Sequence, residues 1–486
     1  MLEKKEIENL VSYLKNAIEK ELNKKNFEMV LELISNTAIV LYSTNIYYVD
    51  DDLEEYLKRI SDDLQLEKFD KKDATDTVLF FDGFGLNDRG LAQIYLKSLC
   101  SAKHVIYVTF KDCIDTIPDI VNIVNSSKSN IAFIDRKKGN YVSQIKQLNS
   151  IILREKPKYF FFYSEPDDVV ATVIMNMYKG IFTRYQINLT DHAFWLGSRC
   201  IDYCIEFRDY GASVSKDYRG IERKKIVKLP FYPMLHEERQ FQGYPFKVAN
   251  TQKVIFSGGA LYKTLGGDNK YYEIVDYLLK NYNDVIFWYA GNGDDRELRK
   301  IISKYPERAY HTSERSDLYQ VLRHSVFYLS TYPICGGLMY QYAAKAGKVP
   351  LTLRYDEMTD GFLLNQESSN IQFDSLDDLF EEAHKLLIDE KYRERRALEM
   401  QDSVISEGAF HNCLIQILEQ GISSYDISFC VNDTSVFRNE YLKRQTLSDL
   451  NMLIVNKKNM RSSIRYMPVK FTAGAYKKIA DILRRE

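Results

Sequence analysis

The chain has only 2 tryptophans among 486 residues and no run of about 18 apolar residues, so no membrane-spanning helix is expected. It has no dominant charge. A formal net charge of -2 excludes the broad basic field that nucleic-acid binding needs. Its seven cysteines (Cys100, Cys113, Cys200, Cys204, Cys335, Cys413 and Cys430) are odd in number and scattered. Most lie in apolar runs, which predicts reduced, buried thiols and a cytoplasmic chain. Cys200 and Cys204 are near neighbours, but no second Cys/His pair follows at zinc-site spacing, so no metal is expected. Asp50-Asp51-Asp52 reads as a solvated helix start. The opening Met1-Leu2-Glu3-Lys4-Lys5 is too charged for a signal peptide.

Hydrophobic content of 45% and charged content of 28% are those of a soluble globular protein. Tyrosine (36) and phenylalanine (26) are abundant. They either line a carbohydrate cleft or reflect a Lys-, Asn- and Ile-rich compositional bias. The length calls for two domains and an appendage. Up to about residue 72 the pattern is helical: Ile7, Leu10, Val11, Leu14 and Ile18 follow the 3.6-residue period. A second helix is expected from Asn26 to Leu41, and a third after Asp50.

From Thr77 strands and helices alternate. Val78–Phe81, His104–Phe110, Ile131–Ile134, Tyr159–Phe162, Tyr185–Leu189, Tyr203–Phe207 and Lys225–Leu229 read as strands. Leu91–Leu99, Val142–Leu153 and Val169–Met177 read as helices. This alternation predicts a parallel, doubly wound sheet. A second alternation starts at Lys253, after a Pro- and Gly-containing connection. Its centre is Val326–Leu329 as a strand, a turn through Cys335-Gly336-Gly337-Leu338, a helix to Ala346 capped by Gly347, and a strand from Val349. Glycines at a helix N-terminus leave its N–H donors open to an anion such as a diphosphate, although the same pattern also serves an ordinary βαβ turn.

Three further segments accompany this turn: Val254–Gly259, the Val285–Ala290 strand ending in Gly291-Asn292-Gly293-Asp294, and the short helix at Asp317–Leu322. In this order and spacing, over about residues 253 to 420, they resemble the donor-binding domain of GT-B-fold glycosyltransferases. Leu261-Tyr262-Lys263 is similar to the phosphate-binding lysine turn of O-GlcNAc-transferase-like and cytoplasmic N-glycosyltransferases. The resemblance implies an α/β chain of two Rossmann-like GT-B domains with a helical N-terminal segment and a helical C-terminal tail. The expected bounds are 1–72 for the helical segment, 73–245 for the acceptor-side domain, 246–425 for the nucleotide-sugar domain, and 426–486 for a tail packing back on the first domain.

Site residues follow from the resemblance for the donor, and from loop and strand-end position for the acceptor and the base. Donor contacts are expected from Gly258, Gly259, Lys263, Gly291, His311, Thr312, Gly336, Gly337, Leu338 and Gln341, the last a candidate for the ribose. Acceptor contacts are expected from Gly83, Gly85 and Arg89 in the Asp82–Gly90 loop, and from Trp195 as a platform for a sugar ring. His192 is the candidate base, since an imidazole titrates at about 6.5. Asp191 would orient it and Asp88 is the next choice. A buried, structural histidine is the alternative for His192. Ile334 and Tyr342 stand where many retaining members carry two glutamates, which points to an inverting enzyme.

The expected activity is transfer of a sugar from a nucleotide-diphosphate donor, a UDP-sugar favoured, to a polysaccharide, lipid-linked or protein acceptor without metal or other cofactor. Bacterial surface polysaccharide or adhesin glycosylation is the setting the resemblance implies. A sugar-nucleotide epimerase and a catalytically silent GT-B subunit are the rivals. Between Lys457 and Glu486 nine basic side chains face two acidic ones. With Phe471, Ala475, Ile479, Ile482 and Leu483 on one helical face, the tail either packs on the first domain or lies on an anionic membrane surface.

Overall fold

The computed structural model describes residues 2–87, 90–136, 140–355, 360–364, 366, 369–430, 432–443 and 445–483. The chain forms two compact units, residues 1–229 with 411–486, and residues 230–410.

The first unit opens with helices α1 (Lys4–Asn23), α2 (Phe27–Thr44) and α3 (Asp51–Asp63). An alternation follows: β1 (Thr75–Asp82), α4 (Leu91–Ala102), β2 (His104–Phe110), α5 (Pro118–Asn125), β3 (Asn130–Ile134), α6 (Tyr141–Glu155), β4 (Pro157–Tyr163), α7 (Val169–Met177), β5 (Thr183–Ile187), β6 (Tyr203–Glu206), α8 (Asp209–Asp217) and β7 (Ile226–Lys228). The strand order is β3-β2-β1-β4-β5-β6-β7, and all pairs are parallel. A parallel sheet covered by helices buries both faces, which is why the central strands β2 and β4 are largely apolar runs.

Part of the aromatic abundance has a packing role here. Phe80, Phe161, Tyr185 and Tyr203 lie side by side on one face of β1, β4, β5 and β6, each stacked on the next at 4.7–6.2 Å between centroids. Cross-strand aromatic pairs of this kind stabilise a sheet beyond their buried area.

The second unit holds β8 (Lys253–Gly258), α9 (Lys270–Asn281), β9 (Val285–Ala290), α10 (Arg296–Lys304), β10 (Ala309–Thr312), α11 (Leu318–Arg323), β11 (Tyr328–Leu329), α12 (Gly337–Lys345), β12 (Pro350–Leu353), β13 (Gln372–Phe373), α13 (Leu376–Ile388) and α14 (Glu390–Asp402). Its order is β10-β9-β8-β11-β12-β13, the same doubly wound pattern. Phe246 packs edge-on against the fully buried Trp288, and Tyr244 packs beside it. The stretch joining the two alternations therefore packs against this unit's core.

The chain then returns to the first unit through α15 (Glu407–Gln420), α16 (Ser435–Lys443), α17 (Leu447–Ile454), α18 (Met460–Tyr466) and α19 (Pro468–Leu483). Both ends of the chain meet on α2, where Asn36 donates to the hydroxyls of Ser462 and Ser463. Gly474 seats α19 on α17, because a Cβ there would lie 2.1 Å from the Asn451 carbonyl.

None of the seven cysteines is in a disulfide. Burial holds for four of them only: Cys430 is exposed, and Cys100 and Cys113 are half-buried. The helices α5 and α8 lie outside the sequence reading, because Pro118 and the Gly211-containing stretch mask short amphipathic patterns. No helix among the described residues is long and apolar enough to cross a membrane.

Candidate functional site

In the second unit the carboxyl ends of β8 and β9 approach backbone to backbone. A Cβ on Gly291 would stand 1.9 Å from the Gly259 carbonyl oxygen, and one on Gly258 would stand 2.8 Å from that of Ala290. These glycines are therefore demanded by packing. His311 and Thr312 end β10 and tie the same edge together. His311 Nε2 donates to the Gly291 carbonyl at 2.8 Å, and its Nδ1 lies 3.8 Å from Asp295. Thr312 accepts from Gly291 N and from Trp288 Nε1, both at 3.0 Å.

The turn after β8 carries Lys263. Its backbone carbonyl accepts from Ile334 N at 3.3 Å, which joins it to the segment ahead of α12. Gly336 caps α12 without a side-chain hydrogen bond, so the first N–H groups of the helix keep their donors open. A Cβ on Gly336 would be 3.3 Å from Lys263 Nζ. Among the described residues this ammonium has no side-chain partner. Burial pulls it below the usual lysine range, with Cys335 acting weakly in the opposite sense. A half-buried ammonium with no side-chain partner, beside an uncapped helix N-terminus, has the chemistry that suits a phosphate-type anion.

Two expected donor residues have other work. Gly337 does not leave an open approach, because a Cβ there would run into the Phe362 ring at 2.3 Å. Its missing side chain admits that ring. Gln341, expected at the ribose, is 3% exposed and donates to the Phe362 carbonyl at 3.1 Å. Both hold the Phe362 segment against α12. Leu338 is half-buried in the helix's first turn.

In the first unit the turn after β1 is closed by its own aspartate. Asp82 accepts from Phe84 N and Gly85 N at 2.9 Å and from the Tyr107 hydroxyl at 2.7 Å. Gly83 and Gly85 are packed rather than open, since Cβ atoms there would overlap Ser164 and Cys113. Asp88 and Arg89 lie outside the described residues.

His192 follows β5 and is one-third exposed. Its Nδ1 is 3.2 Å from Asp191 Oδ1, and its ring meets Phe437 edge-on at 5.8 Å. Burial by itself would raise the Asp191 carboxyl. The Arg208 guanidinium at 2.6 Å and His192 hold it well below the usual carboxylate range. Trp195 is no platform for a sugar, because it is 3% exposed. The Arg219 guanidinium lies over its ring at 5.2 Å and also binds the carbonyls of Thr190, Asp191 and Ala193. A fully buried arginine that needs carbonyl partners draws the whole turn inward. Arg208 and Arg219 escaped the sequence reading, since nothing in their spacing marks them.

No protein-family model and no curated protein matches this sequence. Solved structures do. An O-GlcNAc transferase variant from Thermobaculum terrenum superposes with a TM-score of 0.52 at 12% identity, covering 90% of this chain and 82% of the other. The fold is GT-B-like. Two other similar structures fall below a TM-score of 0.5. The UDP-GlcNAc 2-epimerase from Neisseria meningitidis gives 0.48 at 13% identity over 70% of this chain and 99% of that one. The lipopolysaccharide glycosyltransferase WaaG gives 0.46 at 12% identity over 71% and 100%.

Proposed function

We propose that the protein is a cytoplasmic, nucleotide-sugar-dependent glycosyltransferase of the GT-B kind, inverting and metal-independent, with a UDP-sugar as donor. The observation that carries this reading is Lys263, half-buried and without a side-chain partner among the described residues, beside the open N-terminus of α12. There it would neutralise the charge that develops on a departing diphosphate. In the reaction an acceptor oxygen bonds to the anomeric carbon while the carbon–oxygen bond to the diphosphate breaks. The leaving group takes that electron pair, and a base takes the acceptor proton. His192 is the candidate for that base, and positioning supplies much of the rate. The acceptor is a polysaccharide, lipid-linked or protein substrate of bacterial surface glycosylation.

A second reading, a GT-B subunit without transfer activity, is favoured by the burial of Gln341 and by Ile334 and Tyr342 where a carboxylate would hold ribose. Incubating the protein with a panel of nucleotide sugars and measuring nucleotide-diphosphate release decides between them. Release that falls away in Lys263→Met is expected. Protection from thermal unfolding by UDP with no release from any donor would favour the silent subunit, and neither release nor protection would overturn both readings.

We further propose that α19 rests on an anionic membrane surface. Val469, Tyr476, Ile479, Ile482 and Leu483 are exposed on it, within a strongly basic segment.

A further inference from the structure

A pocket of about 1380 Å³ lies wholly in the first unit, at the carboxyl edge of its sheet. One wall comes from residues that end or follow β2, β3 and β4, among them Phe110, Arg136 and Asp167. The opposite wall comes from α2 and from the returning tail, residues 445 to 461 with Lys478. His192, Trp195 and the Gly83 turn do not line it. Pockets for single small ligands run to about 300–1,000 Å³, so this one suits a longer molecule.

Most of its carboxylates already have partners. Glu28 accepts from Tyr141 N and Val142 N at 3.0 Å. Glu32 accepts from Ser462 N at 2.8 Å. Asp168 caps α7 through Ala171 N at 2.9 Å, and Glu165 pairs with Lys458. Asp167 is different. One of its oxygens accepts from the Ser35 hydroxyl at 2.7 Å. The other has no side-chain partner among the described residues. Enclosure raises this carboxyl above its usual range, against the pull of Lys458.

Asp167 is also the end of a directed chain. The Tyr141 hydroxyl donates to Asn459 Oδ1 at 2.7 Å, Asn459 Nδ2 donates to Ser35 Oγ at 3.0 Å, and Ser35 donates to Asp167. The hydroxyl protons of Tyr141 and Ser35 are thus committed, each donor polarises the next, and the chain delivers one oriented carboxylate, of which one oxygen meets only its own backbone N–H. Its members come from α6, the tail and α2, far apart in sequence. Ser35 and Asn459 are fully buried, and buried polar groups are costly unless satisfied. On the same wall as Asp167, the Arg136 guanidinium sits over the Phe110 ring, 3.4 Å from its centroid.

We propose that this pocket binds a neutral, hydroxyl-rich oligosaccharide, with the Asp167 oxygen that has no side-chain partner accepting a sugar hydroxyl. The inference rests on the glycosyltransferase reading in that the bound sugar is that reaction's acceptor. The tail is then part of the binding site, and an acceptor contact comes from outside the glycine loop and Trp195.

The test uses the full-length protein on a glycan array carrying neutral and acidic oligosaccharides, with UDP protection against thermal unfolding measured in parallel. A hydrogen bond to a charged group is worth about 10- to 100-fold in binding. Neutral oligosaccharides should bind the wild type and bind Asp167→Asn about that much less, with Ser35→Ala weakened by a smaller factor. Should Asp167→Asn fail to fold, Arg136→Leu on the same wall should show the loss. Equal binding by Asp167→Asn, or by Arg136→Leu in its place, overturns the proposal. UDP protection without any oligosaccharide binding overturns the pocket and leaves the donor reading standing. Oligosaccharide binding that depends on Asp167, without UDP protection, supports the pocket and overturns the donor reading.

Discussion

Arg208 Nε donates to Asp191 Oδ2 at 2.6 Å, and neither side chain is more than 2% exposed. This buried ion pair, next to His192, makes the turn after β5 a rigid mount. Removing one member of such a pair strands the other charge in a poorly solvated site, which costs about 3–5 kcal/mol. Arg208→Met should lower the denaturation midpoint accordingly. His192→Ala, at a one-third exposed ring, should leave stability nearly unchanged, keep UDP binding and slow transfer about 10²–10⁴-fold. Transfer at close to the wild-type rate would make His192 a structural residue.

The adjacent glycines Gly336 and Gly337 should respond differently. Gly336→Val would push a side chain toward Lys263 Nζ, 3.3 Å from an ideal Cβ, so UDP affinity should fall while the fold survives. Gly337→Val would collide with Phe362 at 2.3 Å. Overpacking of this kind typically costs about 1–3 kcal/mol, so stability should fall. Comparing thermal midpoints with UDP titrations checks both. Equal loss of UDP affinity in two fully stable variants would contradict the assignment.

Glu21 is 1% exposed and clamps α1 to the tail. Burial works against its charge, but Lys24, Tyr466, Asn26 and Arg465 together hold its carboxyl down to about 2. An unfolded glutamate titrates at about 4.3. Because the folded value is the lower one, the clamp contributes fully above about pH 4.5 and is lost as pH falls toward 2. Urea unfolding at pH 6 and pH 3 should show this loss in the wild type and a smaller one in Glu21→Gln. Identical pH dependence would remove Glu21 from the account.

Sedimentation with phosphatidylglycerol–phosphatidylcholine vesicles tests α19. Wild-type protein should pellet at low salt. Ile479→Ser with Ile482→Ser should release it without loss of stability, since both side chains are about 60% exposed. Vesicle binding unchanged by the double substitution would rule this surface out.

Sequence alone determined what depends on local order. The parallel strands announced themselves because both faces are buried: His104–Phe110 and Val285–Ala290 are read with the same bounds that the structure shows. The turn, helix and strand around Gly336 were legible because Gly, Pro and apolar runs act over a few residues. The candidate phosphate site was legible in part, through Lys263 and the α12 N-terminus, since each lies just beyond a strand. Tertiary structure alone decided which residues are free. Trp195 and Gln341 look available in sequence, but Arg219 draws the first turn inward and Phe362 occupies the second residue. The chain from Tyr141 through Asn459 and Ser35 to Asp167 joins residues up to 424 positions apart. No local pattern encodes such a meeting, because burial and hydrogen-bond partnership are set by whichever distant segment packs there.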